Sequence, residues 1–187
     1  SGYTFELSVG ILPYPITFLV TDIVSEIYGR KKADLIVISG LIASMFIMGV
    51  VMIGDMVLAT KWSPVDDETF HIVFGLFGPA VFASMTAYLT AQFIDIRIFH
   101  FWKKLTKGKH LWLRNNGSTI FSQLIDTCSV LLLLCYFGVI AWDKFGILFI
   151  NGFLFKVFFA AFDTPIFYLI SHFLRKFFGL KLGEELR

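Results

Sequence analysis

Carboxylates, amides and hydroxyls stand in register along three otherwise apolar stretches of this 187-residue chain. In the first, Thr17, Thr21 and Ser25 recur every fourth residue, and Asp22 and Glu26 form the adjoining row. On a helix of about 3.6 residues per turn these rows merge into one polar face, with Phe18, Leu19, Ile23 and Ile27 opposite. In the second, Ser118, Ser122 and Asp126 run beside Thr119, Gln123 and Thr127. The third carries Asn151, Lys156 and Asp163, the last two on a shared face. Carboxylates accept paired N–H donors, amides both donate and accept, and aromatic rings stack on a flat heterocycle. Asp22, Glu26, Ser122, Gln123, Asp126, Lys156 and Asp163 are therefore the candidate substrate-binding residues. A planar small molecule, uncharged or cationic, suits them better than an anion, because the acids outnumber the single lysine. Two local alternatives stand beside this reading. Glu26 is spaced to pair with Arg30, and Lys156 needs a carboxylate, for which Asp126 and Asp163 are the candidates and Asp163 the expected partner.

These side chains matter because of what surrounds them. Apolar and aromatic residues make up 57% of the chain and charged residues 16%, against about 25% charged in a soluble domain. Phe alone occurs 23 times. A soluble domain of this size cannot hide that much apolar surface, so the chain is read as an all-α, polytopic integral membrane protein forming a single domain. Five stretches are long enough to cross about 30 Å of hydrocarbon, at about 7–28, 33–54, 72–94, 117–142 and 145–173. A charge at membrane depth costs about 2.5–3.5 kcal/mol on insertion scales, which marks Asp22, Asp126, Lys156 and Asp163 as residues kept for a purpose. Small residues recur every fourth position at Gly75, Pro79, Ala83, Ala87 and Ala91, and again at Gly40 and Ser44, as close helix packing in lipid requires.

The basic residues set an orientation. Arg30, Lys31 and Lys32, then Arg97, Lys103, Lys104, Lys107, Lys109 and Arg114, then Arg175, Lys176, Lys181 and Arg187 all fall on one side. Lys61 and Lys144 fall on the other, with Asp55, Asp66, Asp67, Glu68 and Asp143. The basic side is expected to be cytoplasmic, with the C-terminus on it. Trp62 and Trp142 mark the outer boundary and Trp102 and Trp112 the inner one. Five crossings then put residue 1 outside, and one further helix ahead of it is expected.

No catalytic constellation emerges: the chain has no His-Glu-x-x-His, no Gly-x-Ser-x-Gly and no phosphate loop. An enzyme is not expected, nor a cofactor or a metal. The basic loop with its tryptophans is explained by topology and anionic headgroups rather than by nucleic acid. Cys128 and Cys135 lie two turns apart on one helix, about 10 Å of rise, which excludes a disulfide within that helix.

Leu-Pro-Tyr-Pro-Ile-Thr-Phe-Leu-Val-Thr-Asp-Ile-Val-Ser-Glu-Ile-Tyr-Gly-Arg-Lys at 12–31 resembles the signature of the queuosine precursor transporter family, a vitamin-uptake-like group. Ala91-Gln92-Phe93-Ile94-Asp95 followed by Phe99, the stretch from Leu113-Arg114 to Ser122-Gln123-Leu124-Ile125-Asp126-Thr127, and Lys156 to Asp163-Thr164-Pro165 resemble its later motifs. The resemblance implies six helices in the full architecture and import of 7-cyano-7-deazaguanine or its aminomethyl relative across the inner membrane. The expected partners are that small molecule and the lipid bilayer, with a homo-oligomer or an energising subunit left open. In the competing reading the chain is a substrate-binding membrane subunit that needs such an energising partner, or it carries another planar metabolite.

The charge distribution makes a direct prediction. Green fluorescent protein fused after Arg187 should fluoresce, and alkaline phosphatase at the same place should be inactive. An active phosphatase fusion would reverse the orientation.

Overall fold

The computed structural model describes residues 7, 11–75 and 78–186. All regular structure among them is helical: α1 Tyr14–Tyr28, α2 Arg30–Asp55, α3 Asp67–Phe74, α4 Gly78–Leu105, α5 Leu111–Tyr136 and α6 Phe145–Phe178, with a 3-10 turn at Trp142–Lys144 before α6. The chain is a polytopic helical membrane protein. Three segments, α2, α5 and α6 with its preceding turn, are long and apolar enough to cross a bilayer by themselves.

The arrangement is inverted relative to a soluble protein. On α5 the buried residues are Arg114, Asn115, Ser118, Thr119, Ser122, Gln123, Asp126 and Thr127, joined by Leu131 and Cys135. The same helix turns Phe121 and Leu132 outward. On α6, Asn151, Lys156, Ser171 and Arg175 face in while Phe158, Phe162 and Leu169 face out. Lipid accepts the outer surface without cost, and only the interior can satisfy the polar one.

Several boundaries differ from expectation for identifiable reasons. The first helix begins at Tyr14, with Pro13 at its cap, rather than near Leu7, because two prolines cannot lie inside it. Its 15 residues span about 22 Å, short of the hydrocarbon thickness. Ile16 and Val20 face outward, while Phe18 and Ile27, placed by periodicity opposite the polar face, are buried as well. The helix is enclosed by α2, α4 and α6 and hydrogen-bonds to α5. The third stretch is divided. Gly75 caps the short α3, and α4 runs on to Leu105, well past Ile94. The fourth helix starts at Leu111 rather than Gly117 and stops at Tyr136, where Phe137 caps it and Gly138 turns the chain with φ +73°. Of the small-residue stripes, Ala83, Ala87 and Ala91 are fully interior. Gly40 and Ser44 are exposed, and a Cβ on Gly40 would meet nothing. Cys128 and Cys135 are both free.

At the end carrying the basic loops, one carboxylate gathers four elements. Glu26 of α1 is fully buried. Its Oε1 accepts from Arg114 of α5 at 2.6 Å and also from Arg175 of α6. Lys103 of α4 donates to the Glu26 carbonyl at 3.0 Å and to Glu185 of the C-terminal tail at 2.8 Å. The tail is stitched down by Leu186, whose N–H donates to the Ile27 carbonyl at 2.8 Å. It crosses the α4–α5 loop at Gly108 and Gly183, so closely that a Cβ on Gly108 would come within 2.8 Å of the Gly183 Cα. Glu26 therefore does not pair with Arg30, which reaches Asp34 at 3.7 Å instead. The local i,i+4 pair loses to Arg114 and Arg175, which among the described residues form an ion pair with no other carboxylate.

Glu26→Gln should leave two buried guanidinium groups short of charge and lower stability by about 3–5 kcal/mol. Asp34→Asn, at the exposed pair, should change it by less than about 1 kcal/mol. Thermal unfolding in nanodiscs, followed by tryptophan fluorescence, checks both. Equal losses would mean that the buried cluster is not what holds this end together.

Candidate functional site

The interior of α1, α5 and α6 contains two cavities that meet at one side chain. The larger, about 300 Å³, lies in the half away from the basic loops. Its walls come from the start of α1, the start of α4, the end of α5 and the start of α6, including Leu7, Ile11, Ser84, Leu134 and Leu148. Its polar lining is Tyr14, Asp126, Thr127 and Lys156. The volume falls in the usual small-molecule range of about 300–1,000 Å³. The smaller cavity, about 20 Å³, is bordered by Asp22, Asn115, Thr119, Gln123, Lys156 and Asp163, with Phe18 and Ala160 among its apolar neighbours. It has room for about one water molecule.

Lys156 borders both. Its ammonium bonds to Asp126 Oδ2, and both groups are buried. The other carboxylate oxygen, Oδ1, accepts from the Tyr14 hydroxyl at 2.6 Å. The Tyr14 ring lies under the ammonium, 4.4 Å from centroid to Nζ. One lysine is thus matched by one carboxylate and one ring face, which is how an isolated charge persists at membrane depth. The expected partnership with Asp163 is not formed. Two helical turns, about 10 Å of rise, separate Lys156 from Asp163 on the same helix, whereas Asp126 of α5 arrives at the level of the lysine. Asp163 is half-buried at the far side of the small cavity.

A third level lies between this pair and the Glu26 cluster. Asp22 of α1 accepts from Thr119 Oγ1 at 3.2 Å, and Asp95 of α4 accepts from Ser122 Oγ at 2.9 Å. Gln123 is buried with its Oε1 unbonded. Asn116 and Thr164 bind one another at 2.8 Å, clamping α5 to α6 beside the site.

The seven sequence-derived candidates therefore separate. Asp22, Gln123, Lys156 and Asp163 share the small cavity, and Asp126 joins Lys156 at the large one. Ser122 stands behind them, bonded to Asp95. Glu26 lies apart in the ion cluster and borders neither cavity. Tyr14 and Asp95 belong to the same interior and were not among the candidates. Tyr14 sits between two prolines, which drew attention to backbone rather than side chain. Asp95 ends the motif-like stretch Ala91–Asp95, but it lies one residue past the apolar stretch at 72–94, and hydropathy gave no sign of its burial at 0% exposure.

The family described as "Putative vitamin uptake transporter" matches residues 8–170. A protein of Bacillus subtilis (strain 168) named "Probable queuosine precursor transporter" is 26% identical over 162 residues, 86% of this chain and 70% of that protein. A protein of the same name from Haemophilus influenzae is 25% identical over 127 residues, 68% of this chain and 51% of that protein. No solved structure matches the chain. The matched region takes in the walls of both cavities from residue 11 onward, and over that length the chain belongs to the putative vitamin uptake transporter family of membrane transporters.

Proposed function

We propose that the chain imports a queuosine precursor, 7-cyano-7-deazaguanine or 7-aminomethyl-7-deazaguanine, across the inner membrane, with the basic loops and the C-terminus in the cytoplasm. The names of its relatives support this substrate. The observation that carries the reading is the Tyr14–Asp126–Lys156 group lining a cavity of about 300 Å³. A guanine-like edge presents a ring N–H beside an exocyclic amino group, and a carboxylate accepts both together. Asp126 is that carboxylate, and Tyr14 offers a ring face for the flat heterocycle.

Asp126 is paired with Lys156 in this structure. Entry of the base exchanges one partner for another, and the released ammonium turns toward the small cavity, where Asp22, Gln123 and Asp163 wait. The exchange keeps buried charge matched throughout, which a midplane site requires. The Glu26 cluster and the tail tie the helices together at the basic end, and passage needs them to part. This is alternating access, with the larger cavity facing the outer side.

A bacterium unable to make the precursor should regain queuosine in its tRNA when given a full-length form of this protein and external 7-cyano-7-deazaguanine. Absence of queuosine with the protein present in the membrane would remove the reading. The pairing also predicts a split between folding and transport. Lys156→Met alone strands the Asp126 carboxylate and should cost about 3–5 kcal/mol. Adding Asp126→Asn should restore most of the melting temperature but not uptake, because the base has then lost its acceptor. Uptake returning together with stability would exclude Asp126 as that acceptor.

A further inference from the structure

The Asp22 and Asp95 carboxyls lie beside one another where α1 and α4 meet α5, at 1% and 0% exposure, each held by a hydroxyl from the same turn of α5, Thr119 and Ser122. Their outer oxygens are accounted for, by Thr119 on Asp22 Oδ2 and Ser122 on Asp95 Oδ1. Their remaining oxygens, Asp22 Oδ1 and Asp95 Oδ2, are buried, and among the described residues no N–H or O–H reaches them. The cations of the interior are committed elsewhere: Arg114, Arg175 and Lys103 to Glu26, and Lys156 to Asp126. Two ionised carboxylates cannot share such a place without a counter-charge. A proton shared by the pair would remove one of the two charges and give an unsatisfied oxygen a partner.

We propose that Asp22 and Asp95 form a proton-binding dyad, and that this proton is the one co-transported with substrate. The coupling half rests on the uptake reading above; the dyad itself does not. A second observation gives the proton a way in. Asp22 also borders the water-sized cavity, together with the buried and unbonded Gln123 Oε1, so a proton carrier can stand beside the dyad.

The surroundings favour a single proton. From α1, the next acid is Glu26, held by its cations. From α4, Gln92 is buried and neutral. From α5 come Asn115, Thr119, Ser122 and Gln123, all neutral. From α6, Lys156 and Asp163 stand across the small cavity. From α2, Ala33 and Val37 are apolar, and Asp34 is paired with Arg30. With one proton bound, one carboxyl donates to the other and α1 is fastened to α4. The dyad then carries a single negative charge. When the proton leaves toward the side of lower proton concentration, two bare carboxylates face each other and push the helices apart. One proton enters and one leaves in each cycle, and no bond to carbon changes.

The test uses the full chain in proteoliposomes, with 7-cyano-7-deazaguanine as the probe. Acid outside should drive uptake above the external concentration, and a protonophore should abolish the accumulation. Asp95→Asn replaces the shared proton by a permanent amide donor. It should lose accumulation while still exchanging labelled for unlabelled base across a membrane without a gradient. A residue with a purely structural role would lose both. Infrared spectroscopy reads the dyad without any substrate. A protonated-carboxyl stretch should be present in the wild type at neutral pH, vanish as the pH rises, and be missing in Asp95→Asn. Full accumulation by Asp95→Asn, or no carboxyl band that depends on Asp95, overturns the proposal. A wild type that shows the band but takes up no base upholds the proton site and counts against the substrate assigned above.

Discussion

Hydrocarbon has no partner to offer a carboxylate, and that constraint sorts every side chain here. Bulky apolar groups such as Phe46, Phe158 and Leu169 can face outward because the outside is as apolar as they are. The interior, released from supplying a hydrophobic driving force, is spent on polar contacts between helices. Small residues at Ala83, Ala87 and Ala91 let backbones approach, and the hydroxyls, amides and charges do the joining.

Along α1 the constraint is met in three different ways at three heights. Tyr14 reaches a carboxylate balanced by one lysine. Asp22, about 12 Å further along the axis, lies beside a second acid, Asp95, and the nearest lysine, Lys156, is paired with Asp126. Glu26, one turn beyond, is held by two arginines with a lysine nearby. The first and last arrangements are closed in charge and fix the helix at each end. The middle one is closed only when a proton is present. A helix held this way has its loosest electrostatic joint beside the small cavity and its firmest at the basic end.

Composition and the Lys/Arg bias made the fold class legible, since both follow from transfer free energies that add residue by residue. The polar rows on α5 were legible too, because a helix puts Ser118, Ser122 and Asp126 on one face wherever it packs. Partnerships were not. Lys156 had two acids within reach of its pattern, and only the relative heights of α5 and α6 choose Asp126. Glu26 had an acceptable local partner in Arg30, and its real ones lie 88 and 149 residues away. Arg114, Lys103 and Arg175 read as topological charges because sequence shows which side of a membrane a cation occupies, not whether it turns inward. The same blindness hid Asp95, which lies beyond the drawn span yet inside the protein.

The prolines at the start of α1 follow from the depth at which that helix begins. Tyr14 meets Asp126, which lies about 15 Å along α5 from the helix end at Tyr136. The first turn of α1 therefore starts at the level of Asp126, with Tyr14 half-buried and Pro13 and Ile16 facing outward, and no side chain caps it. A helix start normally leaves four N–H groups without partners, a costly arrangement away from bulk water. Pro13 and Pro15 remove two donors from this region outright, and the Thr17 hydroxyl donates back to the Tyr14 carbonyl at 2.7 Å. Substituting ordinary residues there would add donors with nowhere to go. The prolines let a short helix begin beside a cavity of about 300 Å³, and so bring Tyr14 to the Lys156–Asp126 pair.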